Sequence, residues 1–301
     1  MPFTFRVSLY LLALSLSFIN SGLALSQSSS SVPGAPPSQS ESVVRAVVEK
    51  YFATYAVKDL DGLMSLWSEK SPDYVPFKQS LQRQFAAENF SFSDPVISRV
   101  KVEGEKVGLR AVTNLIAVNL KNNQKREQRM ALNFAFVREG GNWKVWRSAP
   151  AEDDLAEALV KAKTDDERAG LLEEEKDLMT AGLTQELNSQ GRRSFLEGDY
   201  PGSRAIHQMA QGLAERIDDK AGIARALVGI GESYRVQGDY ARALEYHQKG
   251  LAISEAIGDE AGAAGTTMNI GIVHSQQGNY AQALERFRKA LAMRQALGVI
   301  D

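Results

Sequence analysis

Apolar residues recur at two different periods along this chain, and the switch between them divides it. Over 41–58, Val44, Val47, Val48, Tyr51, Phe52 and Tyr55 fall at i, i+3, i+4 spacing and share one face of a helix. Asp59-Leu60-Asp61-Gly62 then leads into Leu63, Met64, Leu66 and Trp67, a second short helix. A third amphipathic stretch, 77–89, places Leu81 and Phe85 on one side. After Phe90 the period falls to two, which predicts strands over 92–102, 106–120, 128–138 and 142–148. Their turns are Glu103-Gly104-Glu105, Lys121-Asn122-Asn123 and Glu139-Gly140-Gly141-Asn142. Strands joined this tightly form an antiparallel meander, since parallel pairing needs long crossovers. Helices first and a meander after predict an α+β domain over 41–150, with helices on one face of a curved antiparallel sheet.

Beyond it the helical period returns and stays. Leu155, Ala158 and Leu159 mark a short helix in a connector over 151–180. Thr164-Asp165-Asp166-Glu167 has the form of a capping box at the start of the next one. The run Glu173-Glu174-Glu175 points in different directions on a helix and is a solvated face rather than a cation site. From 181 onward the chain repeats itself every 40 residues, as 181–220, 221–260 and 261–301. Gly198-Asp199-Tyr200, Gly238-Asp239-Tyr240 and Gly278-Asn279-Tyr280 coincide, as do Gly191, Gly231 and Gly271. Ser203, Ala243 and Ala283 form another column, His207, His247 and Phe287 the next, and Ala210, Gly250 and Ala290 the one after. Each copy is therefore a helix, a turn at Gly-Asp/Asn-Tyr and a second helix, with small residues where two helices approach closely. The turn glycine ends the first helix, and the tyrosine is expected to pack back against the pair.

These columns resemble the tetratricopeptide repeat, lengthened to the 40-residue period of kinesin-light-chain-like arrays. The resemblance implies an all-α solenoid whose concave face is lined by the first helix of each repeat. The residues it places there are Gln185, Asn188, Arg192, Arg225, Val228, Glu232, Arg235, Met268, Ile272 and Ser275. Protein or peptide partners are implied, with Arg192, Arg225 and Arg235 either clamping a carboxylate or serving only as surface charge. The last helix carries Ala283, Leu284, Phe287, Leu291 and Met293, more apolar surface than the preceding repeat can bury. That open edge calls for further repeats, a partner or self-association with a second copy.

The order of elements over 41–150 resembles the NTF2-like (SnoaL-like) superfamily, on the run from Lys58-Asp59-Leu60-Asp61 to Leu66-Trp67 and the closing hairpin that includes Trp143 and Trp146. The resemblance implies a cone with a pocket, used by some members as an enzyme site and by others for binding or dimerisation. The chain's three histidines, His207, His247 and His274, all lie outside this domain, and its strands offer Thr113, Asn114, Asn119 and Asn133 rather than a convincing acid or base. Asparagine and threonine can orient a ligand and do not shuttle protons near neutral pH, so no catalytic residue is assigned, and Thr113, Asn114 and Asn133 are the candidates for a pocket. The alternative function is a small-molecule-binding or enzymatic cone for which the repeats are a dock; another is the sensor part of a larger signalling protein.

Composition adds the compartment. Arg6 followed by an apolar run over 7–19 and small residues before Ala24 form a signal peptide over 1–24, with a cut after Ser26 nearly as good. Its apolar core is too short to span a bilayer, so no stable membrane span is expected after cleavage. A Ser/Pro-rich stretch over 25–40 is a flexible linker. Export to the periplasm or beyond is the expectation, and the absence of cysteine is compatible with it. A net charge of −2 gives no global attraction to nucleic acid. His207 and His247 share a column with Phe287 and are expected to replace a packed ring, so no metal and no cofactor are assigned.

Overall fold

A computed structural model describes residues 39–298. The expected signal peptide and nearly all of the expected linker lie outside the described residues. The chain divides after Ala151 into two compact units.

In the first unit, helix α1 (Gln39–Ala56) is followed by α2 (Leu60–Met64) and α3 (Tyr74–Ala87). The Asp59 carboxylate starts α2 by accepting from the Gly62 N–H at 2.8 Å. Five strands follow: β1 (Glu88–Phe92), β2 (Val96–Glu103), β3 (Lys106–Asn119), β4 (Lys125–Glu139) and β5 (Asn142–Pro150). All pairs are antiparallel, but the sheet is not the simple meander expected from the turns. The predicted third helix stops two residues early, and Glu88–Phe92 becomes a strand paired to the far half of β3. The near half of β3 pairs with β2, so two short strands share one long neighbour. Ser93-Asp94-Pro95 separates them, where proline has no N–H for the ladder. Register shifts at Ser98/Lys101 and Ala135/Phe136 bend the sheet.

Alternation along β3 and β4 sends Val107, Leu109, Ala111, Phe134 and Phe136 toward the helices. They meet Val44, Val48, Tyr51 and Phe52 of α1, with Trp67 and Phe77 stacked at 4.5 Å beside them. Fully burying one such side chain is worth about 1.5–3 kcal/mol, so this aromatic layer carries the unit's stability.

The second unit is helical. It holds most of α4 (Ala151–Lys161), then α5 (Asp165–Glu174), a 3-10 turn (Lys176–Leu178) and three helix pairs. The pairs are α6 (Ala181–Leu196) with α7 (Tyr200–Arg216), α8 (Lys220–Val236) with α9 (Tyr240–Ala256), and α10 (Glu260–Gln276) with α11 (Tyr280–Ala296). The capping box forms: Thr164 Oγ1 accepts from the Glu167 N–H while Glu167 accepts from the Thr164 N–H. Gly198, Gly238 and Gly278 take φ of 87°, 81° and 79°, the left-handed conformation that closes the first helix of each pair.

The aspartates of the repeat have a job of their own. Asp199, Asp219, Asp239 and Asp259 each cap the following helix, accepting from a backbone N–H three residues on at 2.9–3.1 Å. Asn279 makes no such bond. Of the turn tyrosines, Tyr200 meets Phe195 edge-to-face at 5.2 Å, whereas Tyr280 is largely exposed instead of packing back. Tyr234 is stacked on Tyr246 at 5.5 Å and holds Arg204 of α7 and Arg242 of α9 within 4.9 and 5.3 Å of its ring centre. It thereby ties three consecutive helices together.

Candidate functional site

Two places warrant testing as sites: the interior of the first unit and the face formed by α6, α8 and α10. The residues first considered for a pocket do not converge. Thr113 lies on the helix-facing side of β3, buried, where its hydroxyl donates to the Ser93 carbonyl at 2.7 Å. Asn114 follows it and therefore faces the other side, exposed. Asn133 shares that other side, opposite Arg110 in the ladder, and accepts from Arg110 Nε at 2.9 Å. The helix-facing interior is occupied by rings: Phe134, Phe136 and Trp143 belong to the core cluster. Trp146 lies at the β4–β5 bulge, half-buried. The polar atoms that remain inside are few. Tyr51 Oη and Ser148 Oγ are 3.4 Å apart, and burial pushes the Tyr51 phenol well above its usual pKa. Trp67 Nε1 is buried without a partner.

In the second unit the first helices of successive pairs touch, α6 against α8 and α8 against α10. Gln185 and Arg192 fall on one face of α6, Arg225, Val228, Glu232 and Arg235 on one face of α8, and Met268, Ile272 and Ser275 on one face of α10. Arg192 and Arg225 are exposed, and the others of this set are half-buried.

Asn188 turns inward instead. Its amide donates to the carbonyls of Thr184 and Gly222 at 3.0 and 3.3 Å, which leaves its oxygen to accept from His207 Nδ1 at 3.0 Å. His207 thus carries its proton on Nδ1 and is neutral; burial lowers its pKa to about 4. Its ring sits between two helices that can come this close only at glycine. A Cβ on Gly191 would lie 2.8 Å from it and a Cβ on Gly229 2.3 Å from it. Asn188 and His207 are scaffold, and a partner cannot reach Asn188 without opening α6 from α8.

Glu232 and Arg235 are also committed to each other. Arg235 donates to the Glu232 carboxylate through Nε and Nη2 at 3.0 and 2.9 Å and reaches Gln276 of the next pair at 3.3 Å. The fully buried His247 places Nε2 3.3 Å from Oε1 of the same carboxylate without the alignment of a hydrogen bond, and its Nδ1 has no partner. Burial raises the Glu232 pKa, but the His247 and Arg235 contacts outweigh it and hold the carboxyl below its usual value. Nothing in the sequence pattern announced this link, because Glu232 and His247 lie on different helices and the column of Glu232 holds Arg192 and Ile272 in the other repeats. Val228 packs on α9, its Cγ2 3.0 Å from where a Cβ on Gly250 would be. Val228, Met268 and Ile272, all half-buried, are the apolar members of the set on α8 and α10, which also holds the Glu232–Arg235 pair.

The helix-pair geometry coincides with a family model. The model for the tetratricopeptide repeat matches over 194–256 and again over 222–296. Residues 194–296 are tetratricopeptide repeats. An array of such repeats is a protein-interaction scaffold. Among solved structures, the chain is similar to the tetratricopeptide domain of FLU from Arabidopsis, at 21% identity and a TM-score of 0.36, over 38% of this chain and 95% of that one. It is also similar to a ketosteroid isomerase-like protein from Erwinia carotovora atroseptica, at 12% identity and a TM-score of 0.34, over 38% and 97% of the two chains. A scytalone dehydratase-like protein from Novosphingobium aromaticivorans follows at 16% identity and 0.31, over 36% and 80%. No curated protein matches the chain. The first unit is a set of helices on one face of a bent antiparallel sheet and precedes the tetratricopeptide repeats in the chain.

Proposed function

We propose that this protein is an exported, non-enzymatic scaffold that binds a protein or peptide segment across the first helices of its tetratricopeptide array. The observation that carries this is the apolar band of Val228, Met268 and Ile272, which crosses from α8 to α10 with its nearest charges already paired. Such a band binds by burying apolar side chains of an extended or helical segment, while Arg192 on α6 favours an acidic residue at one end. The NTF2-like unit serves as a folded module. Its aromatic interior and the divergence of Thr113, Asn114 and Asn133 support that role over an enzymatic one. Export rests on the sequence of residues 1–24, and no described helix is long and apolar enough to cross a membrane.

A peptide-display selection on the full chain tests the groove. Selected peptides should lose at least about tenfold in affinity, or roughly 1.4 kcal/mol, to Met268→Glu or Ile272→Glu. Peptides that bind both variants as well as the parent would move the site elsewhere. N-terminal sequencing of the protein recovered from its native cell tests export: a start at Leu25 or Gln27 is expected, and Met1 would refute it.

A further inference from the structure

Helix α11 exposes apolar columns that α9 keeps covered. Leu291 is 49% exposed where Leu251 of α9 is 8% exposed, and Phe287 is 36% exposed where His247 is fully buried. Leu284 is equally open, although Leu244 in the same column packs on the cluster of Leu251, Ala263 and Ile270. The difference lies in what covers each helix. α10 lies on α9 and presents Ala263 and Ile270, seven positions apart; α8 lies on α7 and carries Ile223 and Ile230 in the same two columns. Among the described residues no helix covers α11 in this way.

The same internal comparison specifies charge. α11 carries Arg286, Arg288, Lys289 and Arg294 against Glu285 alone. Arg294 occupies the column of Ala214 and Ser254, both buried. That column lies beneath the first turn of the covering helix, since Ser254 Oγ is 3.2 Å from where a Cβ on Gly262 would be. In both internal examples the covering helix starts at an aspartate cap, Asp219 or Asp259, and α10 adds Glu260 in its first turn. Acidic residues are favoured at a helix N-terminus, so a covering helix brings negative charge to the place where α11 has put an arginine. A second copy of α11 would bring no such charge to Arg294, because α11 has no acidic residue in its first turn.

We propose that the open face of α11 docks an amphipathic helix of a partner, one with alanine or isoleucine seven positions before a second isoleucine and an acidic first turn that meets Arg294. This surface is separate from the band on α8 and α10, so it stands or falls independently of the groove.

The probe is a helix-stapled, fluorescein-labelled peptide with the sequence of residues 259–277, the segment that covers α9 inside the molecule. Fluorescence anisotropy against the full chain should show saturable binding. Leu291→Glu should weaken it at least about tenfold, and Arg294→Glu by about fivefold. Making Asp259 and Glu260 of the peptide lysines should restore binding to Arg294→Glu. Leu291 and Arg294 are on the surface, so both variants should keep the parent's thermal unfolding profile; the charge swap tests the site even where Leu291→Glu does not fold. No saturation by about 1 mM, binding indifferent to both variants, or a sedimenting dimer that Leu291→Glu dissolves would each overturn the proposal.

Discussion

Asp219 is the residue whose loss the tetratricopeptide array should feel most among its helix caps. Its Oδ1 accepts from the Gly222 N–H at 2.9 Å and starts α8, while its Oδ2 accepts from Thr184 Oγ1 on α6. Thr184 is fully buried, and its hydroxyl otherwise bonds to the Ala181 carbonyl at 3.0 Å. Asp219→Ala removes the cap, at a cost of about 1 kcal/mol. It also removes a charged acceptor from a buried hydroxyl, at a further cost of about 1.5 kcal/mol. Asp239 is the control: it caps α9 through the Arg242 N–H at 3.1 Å and otherwise makes an exposed ion pair with Arg242 at 3.4 Å. Such a pair adds little, so Asp239→Ala should cost about 1 kcal/mol in all. Urea unfolding of the two variants should therefore differ by about 1.5 kcal/mol. A double-mutant cycle between Asp219→Ala and Thr184→Val should return most of that difference as coupling. Because an array is a chain of nearest-neighbour interfaces, hydrogen exchange should accelerate in α6 and α8 before α10. Equal losses from Asp219→Ala and Asp239→Ala, or a coupling near zero, would refute the tie between α6 and α8.

The glycines and histidines of the repeats give further tests. Gly265→Ala has open space around the new methyl and should stabilise α10 by up to about 1 kcal/mol. Gly229→Ala places its methyl 2.3 Å from the His207 ring, and overpacking of about 3 kcal/mol less the same helix gain leaves a net loss of about 2 kcal/mol. Thermal unfolding should move in opposite directions for the two, and a shared direction would refute the packing described for His207. His207 has a folded pKa of about 4 against an ordinary 6.5, so below pH 6.5 the unfolded chain binds a proton that the folded one refuses. Stability from this group is complete above pH 6.5 and declines as pH falls toward 4, by about 3 kcal/mol in total. His207→Gln should flatten that part of the profile relative to the parent, and an unchanged slope would place the titration elsewhere.

The period of the repeats was legible because it is enforced by close approach. Gly191, Gly231 and Gly271 recur because each faces a ring, His207, His247 or Phe287, at a distance that excludes a Cβ. The strand pairing of the first unit was less legible. Glu88 and Asn89 continue an amphipathic helix in pattern, and only pairing with β3 draws them into the strand Glu88–Phe92. Tertiary pairing overrides a short local preference in this way. The pocket residues failed for a related reason. Thr113 and Asn114 are neighbours in sequence and on opposite faces in the sheet, and Asn133 is claimed by Arg110 across the ladder. The groove set follows the geometry that the tetratricopeptide resemblance implies. Spacing places Asn188 on the right stretch of α6, but it carries no information about the carbonyls and the imidazole that use up its amide.

Comparing repeats within one chain also separates scaffold from surface. Where all copies agree, at the glycines of the first helices and the small residues of the second, the position is filled by a packing contact and has nothing left for a ligand. Where one copy departs, the departure has a local cause. Asn279 replaces a capping aspartate and makes no cap; Tyr280 leaves the helix pair; Arg294 stands over a column that is small and buried elsewhere. All three departures lie on α11, as do the exposed Leu284, Phe287 and Leu291. α11 keeps leucine and phenylalanine in those columns, with Arg294 beside them, and the docking proposed above requires that combination of an apolar centre and a polar margin.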